Sequence, residues 1–214
     1  MLSSTKTQFL FISLAYTCSI LGAKSKYLAA ASNTMIVGHA VGKLTEYLLQ
    51  TAGENVRSFC IGHSLGAHVC GFIGKTKQLD GIIGLDPAGP VFEQNSEGKR
   101  LDKRDALMVK VLHINAGELG IAKAIGDVDI YVNGGKRQPG CDPMNFVCSH
   151  NNFAIGFVNH IWKTGSKAAA CTTNYFCDDE EKAMVTFPTI VLTRAHAQLL
   201  CMYISNIYKK PTKY

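Results

Sequence analysis

The segment Val56–Gly74, VRSFCIGHSLGAHVCGFIG, limits the possible folds more than any other part of this chain. Its apolar, β-branched beginning predicts a buried strand, and its second half predicts a helix with a small, apolar packing face. Between these elements, Gly62 and Gly66 stand two positions either side of Ser64. A turn this tight leaves no room for side chains at those two positions. The segment therefore predicts a strand, a sharp turn and a helix, with the Ser64 hydroxyl lifted out of the sheet edge.

The turn fits the G-x-S-x-G pattern of a nucleophilic serine. In such a turn the backbone N–H of the next residue, here Leu65, faces a bound carbonyl oxygen and acts as an oxyanion donor. The pattern alone is weak, because glycine-rich loops match it by chance, and a purely structural turn is the alternative. The flanking strand and helix favour the interpretation in which Ser64 is the nucleophile of an acyl transfer.

The rest of the chain alternates between predicted helices and strands. The segment from Asn33 to Gln50 is predicted as a helix, with Asn33 and Thr34 suited to its N-cap. Its predicted apolar stripe consists of Ile36, Val37, Ala40, Val41, Leu44, Tyr47 and Leu48. Short apolar strands are predicted within 79–85, 109–114 and 128–132. This alternation predicts a single α/β domain with a doubly wound, mostly parallel sheet.

A serine nucleophile also needs a base and an acid that orients the base. Asp86 is the predicted acid because it follows the strand GIIGL, and open α/β sheets place their sites at the carboxyl ends of strands. Asp80 precedes the same strand and is therefore expected at the opposite edge. A solvated aspartate in a turn is the alternative for Asp86.

His150 is the predicted base. It completes the chain order Ser, Asp, His and lies in a predicted loop. His113, which ends a predicted strand, is its rival. His63 and His68 are too close to Ser64 along the chain to approach it from across the sheet edge.

Composition excludes some classes of partner. The chain has 214 residues and a formal charge of +6. No block of like charge is long enough to predict nucleic-acid binding. After residue 23 no apolar run is long enough to span a bilayer, so no transmembrane segment is expected.

Residues 1–23 have two interpretations. One lysine, an apolar run from Phe9 to Ala15 and small residues ending at Ala23 are typical of a signal peptide. The same apolar run also fits the remnant of a core strand.

Eight cysteines are many for a cytosolic chain of this length. Two close pairs have spacings suited to local disulfides: Cys141/Cys148 and Cys171/Cys177. Metal binding is the alternative, but the C-x₂-C spacing of zinc sites is absent. Disulfides predict an oxidising compartment, hence a secreted protein. Cys60 and Cys70, on the predicted strand and helix around Ser64, are predicted as buried apolar residues.

Several segments of this sequence resemble motifs of the pancreatic-lipase family of secreted ester hydrolases. They are GHSLGAHVCGFIG at 62–74, IIGLDPAGPVF at 82–92, RLDKRDA at 100–106, GDVDIYVNGGKRQPGC at 126–141 and CSH at 148–150. The resemblance supports the choice of Asp86 and His150. It implies an α/β-hydrolase core over 24–181, a divergent tail over 182–214, and no C-terminal β-sandwich. It also implies a lipid ester as substrate and contact with a lipid surface.

The family contains triacylglycerol lipases and phospholipases A1, and the resemblance favours the second group. It places the lid between Cys141 and Cys148, where only the six residues DPMNFV intervene. So short a loop leaves an open, more polar rim that accepts a charged head group, as in phospholipase A1. Triacylglycerol lipase is the alternative. A non-catalytic lipid-binding homologue is another, because the family's His-Gly loop, which supplies the second oxyanion donor, has no counterpart in this sequence.

No cofactor is expected to be required, but the resemblance implies a possible structural calcium ion. Glu97, Arg100, Asp102 and Asp105 match a calcium loop of pancreatic-type members, in which the arginine contributes its backbone carbonyl. Carboxylate and carbonyl oxygens suit this hard cation. Charged side chains that cap a surface turn are the alternative.

Overall fold

The computed structural model describes residues 8–14, 27–52, 56–142, 144–153, 167–170, 185–186 and 198–202. Its strands are β1 (Gln8–Leu14), β2 (Val56–His63), β3 (Gly81–Leu85), β4 (Val109–His113), β5 (Val128–Val132), β6 (Lys167–Ala170), β7 (Val185–Thr186) and β8 (Gln198–Met202). Its α-helices in this part of the chain are α1 (Tyr27–Ala52) and α2 (Leu65–Thr76).

The described strands form one sheet in the order β1-β2-β3-β4-β5-β8-β6-β7. Each neighbouring pair from β1 to β5 is parallel, and so is the pair of β5 with β8. Strand β6 is antiparallel to both β7 and β8. The prediction of a mixed α/β protein with a parallel sheet is thus confirmed.

The central strands carry nearly continuous apolar runs because the sheet is buried there on both faces. Strands β4 and β5, VKVLH and VDIYV, are buried along their whole length. Their register brings His63, Leu85, Leu112 and Ile130 into one row at the carboxyl ends of β2 to β5. The residues that follow these strands therefore meet along one edge of the sheet.

Helix α1 differs from its prediction at its start and in its buried face. It begins at Tyr27, so Asn33 and Thr34 lie inside the helix and do not cap it. The predicted stripe is wrong, because only Val37 and Val41 of that stripe pack against the core. The buried residues of the helix are instead small: Ala30, Ala31, Thr34, Gly38, Gly42 and Thr45.

Close packing of the two α-helices explains this choice of residues. A Cβ atom at Gly38 would collide with Phe72 of α2, and one at Gly42 would lie 2.6 Å from Thr76 Cβ. Larger side chains cannot fit where the backbones approach this closely. The large apolar residues of α1 therefore face outward, among them Ile36, Leu44, Tyr47 and Leu48.

A covalent bond also joins the sheet to α2. Cys60 of β2 and Cys70 of α2 form a disulfide, with their Cα atoms 5.7 Å apart. The prediction that these cysteines are merely apolar core residues is wrong. Both residues are fully buried, as predicted, but the inward faces of the strand and helix bring their sulfur atoms together.

No helix in the described ranges has the length and apolar character needed to cross a membrane. Strand β1 lies within 1–23, and it pairs with β2 over its whole length. Strands β7 and β8 lie within 182–214, the predicted tail.

Candidate active site

Ser64 stands alone between β2 and α2 in a strained turn. Its backbone has φ 56° and ψ −122°, a conformation that few residues other than glycine adopt. A Cβ atom at Gly62 would lie 2.6 Å from the backbone N of Ala67, so the turn requires glycine there. The Ser64 N–H donates to the Leu85 carbonyl at 3.0 Å, which holds the turn against β3.

Leu65 is the first residue of α2. The first N–H groups of a helix have no acceptor within the helix and point out of its N-terminus. The N–H of Leu65 therefore lies beside the Ser64 hydroxyl at the positive end of the helix dipole.

Asp86 follows β3 and is completely buried. One carboxylate oxygen accepts hydrogen bonds from the backbone N–H groups of Ile114 and Asn115, at 2.8 and 3.0 Å. Gly120 borders the carboxylate so closely that a Cβ atom there would lie 2.7 Å from Asp86 Cγ. These contacts support the negative charge of Asp86 and leave its second oxygen directed at His150.

His150 joins Asp86 to Ser64. It lies on a π-helical turn, Cys148–Phe153, and its side chain is almost fully buried. Its Nδ1 lies 2.6 Å from Asp86 Oδ2, and its Nε2 lies 2.8 Å from Ser64 Oγ. Because a carboxylate only accepts, Nδ1 carries the proton and Nε2 is free to accept from the serine hydroxyl. The structure thus brings together the three side chains that the sequence singles out.

The other histidine and aspartate considered for the base and the acid do not contact Ser64. His113 is completely buried and bonds to Asp129 at 2.7 Å and to the Ile121 carbonyl at 2.9 Å. Asp80 bonds to Arg57 and to the backbone N–H of Ser58, at the opposite end of the sheet strands.

His63 contributes to the site in a way that its place in the sequence does not predict. Its Nε2 donates to the backbone carbonyl of His150 at 2.8 Å, and the two rings lie 4.8 Å apart. Burial lowers the pKa of His63, and the neighbouring His150 lowers it further. The neutral ring therefore ties the loop of His150 to the residue that precedes Ser64.

His68, on α2 one turn after Ser64, makes structural contacts with its ring. Its Nε2 donates to the Ala88 carbonyl at 2.9 Å, its Nδ1 accepts from the Leu101 N–H at 3.1 Å, and its ring stacks on Phe92. Complete burial lowers the pKa of His68 to about 3, so the ring is neutral. The ring links α2 to the turn after β3 and to the loop 97–105.

The charged groups of the loop 97–105 already have partners. Asp102 caps a short 3₁₀ turn and accepts from Arg104, which also pairs with Glu97. Burial alone would raise the pKa of Asp102, but the bonds from Arg104 outweigh it and hold that pKa below its usual value.

Asp105 in the same loop is bound by Lys75. Burial raises the pKa of Asp105 to about 6, against the opposing effect of the Lys75 hydrogen bonds. Among the described residues, no three His, Cys, Asp or Glu side chains are grouped to hold a metal ion. The acidic side chains of this loop are therefore paired with Lys75 and Arg104.

The loop between Cys141 and Cys148 is closed by a disulfide, as its spacing predicts. Met144 is 79% exposed, and Phe146 and Val147 are exposed as well. The surface of this loop is thus more apolar than the polar rim that its short length predicts. The second predicted pair, Cys171 and Cys177, lies outside the described residues.

The fold and the site together define a mixed α/β protein with a serine, a histidine and a buried aspartate linked at the carboxyl edge of a parallel sheet. The profile of the Lipase family matches residues 18–182. The chain belongs to this family.

Curated relatives agree with this placement. The chain is 46% identical to "Phospholipase A1" of Vespula squamosa over 146 residues, which are 64% of this chain and 48% of that protein. It is 43% identical to "Phospholipase A1" of Vespa crabro over 159 residues, 69% of this chain and 52% of that protein. Identity to "Phospholipase A1 member A" of Bos taurus is 34% over 164 residues, 73% of this chain and 36% of that protein. The chain spans about half the length of the two insect relatives.

Proposed function

We propose that this chain is the core of an α/β-hydrolase that cleaves carboxylic esters of lipids, and that its preferred substrate is the sn-1 ester of a phospholipid. The observation that carries the proposal is the continuous hydrogen-bonded path from Asp86 through His150 to Ser64, at 2.6 and 2.8 Å. Such a path is what a serine hydroxyl needs to become a nucleophile at neutral pH.

In the proposed reaction, Ser64 Oγ attacks the acyl carbonyl while His150 Nε2 takes the hydroxyl proton. The buried Asp86 carboxylate stabilises the imidazolium through Nδ1–H. The N–H of Leu65 stabilises the oxyanion that forms on the carbonyl oxygen. His150 then returns the proton to the leaving alcohol, and water attacks the acyl-enzyme with His150 again as base. The products are a fatty acid and a lysolipid.

The short loop between Cys141 and Cys148 supports phospholipid over triglyceride. Six residues closed at both ends by a disulfide are too few to cover a long acyl groove and reopen at an oil surface. The exposed Met144 and Val147 are suited to contact with the apolar part of a lipid surface. The insect relatives are named phospholipase A1, which agrees with this substrate.

Secretion forms part of the same proposal. Two disulfides in the described part of the chain, Cys60–Cys70 and Cys141–Cys148, favour an oxidising compartment.

The substrate is tested by initial rates on phosphatidylcholine vesicles and on emulsified triolein, with product analysis to identify the ester cleaved. The expected result is faster release of the sn-1 fatty acid from phosphatidylcholine, with no jump in rate at the onset of a triolein emulsion. Faster hydrolysis of triolein would overturn the phospholipid preference and leave the ester-hydrolase proposal standing. No release from either lipid, with the Ser64→Ala variant as blank, would contradict both.

A further inference from the structure

The ammonium group of Lys75 occupies a site made of protein oxygens. Lys75 lies in the last turn of α2. Its Nζ donates to the Arg100 carbonyl at 2.9 Å and to both carboxylate oxygens of Asp105, at 2.5 and 2.6 Å. The side chain of Asp105 is only 4% exposed and that of Lys75 only 19%, so water screens the attraction between their charges only weakly.

These oxygens are the ones that the family resemblance assigns to calcium. A calcium ion binds six to eight oxygens at about 2.3–2.6 Å and therefore needs the Asp105 carboxylate and the Arg100 carbonyl to itself. With Nζ at these same atoms, an ion would have to displace the ammonium group. The remaining carboxylates, Glu97 and Asp102, are engaged by Arg104.

The charge of the loop also disfavours a divalent ion. Between residues 97 and 105 there are three acidic residues and four basic ones. Lys75 adds one more positive charge at the centre of the group. A Ca²⁺ ion would enter a region whose negative charges are already balanced.

The packing of α2 fixes Lys75 in this position. A Cβ atom at Gly74 would collide with the Asp105 carbonyl, and one at Gly71 would lie 2.9 Å from Asp105 Oδ2. The two glycines therefore let the loop lie directly on the helix backbone. The Lys75 stem extends beside Phe72, with Nζ 5.8 Å from the ring centroid.

We propose that Lys75 is the resident cation of the loop 97–105, standing where the resemblance places calcium, and that its removal converts the loop into a divalent-cation site. This inference is independent of the proposed ester hydrolysis.

The test is thermal unfolding of the purified chain at pH 8, first in EDTA and then with millimolar CaCl₂. The wild type is expected to unfold at the same temperature in both. Lys75→Ala and Lys75→Met, of which the second keeps most of the stem, are expected to unfold at least about 3 °C lower in EDTA and to recover with calcium. Lys75→Arg retains a cation and is expected to stay insensitive to calcium. Lys99→Ala removes an exposed charge from the same loop and is the matched control.

Saturable stabilisation of the wild type by calcium would overturn the proposal, whether or not the variants fold. The proposal would also be overturned if Lys75→Ala and Lys75→Met unfolded at a lower temperature than the wild type and calcium did not restore that temperature. In that case the position of Nζ would not be a site that a calcium ion can occupy. Calcium recovery confined to Lys75→Ala and Lys75→Met would support it.

Discussion

At the scale of single residues, the site depends on groups that touch the three central side chains. Gly120 is the sharpest case, because a Cβ atom there would meet the Asp86 carboxylate. Gly120→Ala should push this carboxylate away from His150 and lower kcat by about 10- to 100-fold, since small misplacements of catalytic groups have effects of this size. Gly98→Ala is the control, because a Cβ atom at Gly98 meets nothing within 4 Å. A Gly120→Ala variant with the wild-type kcat would contradict the geometry.

His63 is the second residue-scale case, and it acts on His150 through the backbone. His63→Phe keeps the ring but loses the N–H donor to the His150 carbonyl. We expect kcat to fall roughly fivefold with KM unchanged, because one net hydrogen bond contributes about 1 kcal/mol. His63→Gln keeps an N–H donor and should recover part of the loss. Equal losses in both variants, or a change confined to KM, would exclude this positioning role.

At the scale of elements, the neutral His68 ring links α2, the turn after β3 and the loop 97–105. The pKa of His68 is about 3 in the folded protein, against an ordinary value near 6.5. As the pH falls, His68 takes up a proton near pH 6.5 in the unfolded chain but only near pH 3 in the folded chain. Protonation therefore favours the unfolded chain, so the stability contributed by His68 is complete above pH 6.5 and is lost as the pH falls towards 3.

Urea unfolding between pH 7 and pH 4 measures this contribution. The free energy of unfolding should fall with pH, and His68→Gln should reduce that slope by up to about 1.4 kcal/mol per pH unit. The readout is the slope, so it survives a general loss of stability in the variant. If the free energy of unfolding changed with pH equally in the wild type and in His68→Gln, then His68 would not be a buried side chain in its neutral form.

At the scale of the whole molecule, the parts of the fold and site that the sequence predicts are those with strong local patterns. The Ser64 turn and the strand before Asp86 follow from glycine placement and apolar runs, and the parallel sheet follows from the alternation of predicted strands and helices. The buried face of α1 could not be read from hydrophobicity, because the close approach of α2 selects glycine, alanine and threonine there. The spacing G-x-x-x-G at Gly38 and Gly42 was the available signal. The Cys60–Cys70 bond depends on a strand and helix meeting in space, and the backbone donors to Asp86 have no sequence signature.

The most direct test of the central claim is labelling by a fluorophosphonate, which reacts with a serine only when its hydroxyl is activated. Mass spectrometry of the labelled chain should place the adduct on Ser64. Labelling should be lost in Ser64→Ala and strongly reduced in His150→Gln, and it should be unchanged in Ser96→Ala, an exposed serine outside the site. An adduct on another residue, or labelling that survives Ser64→Ala, would contradict the account.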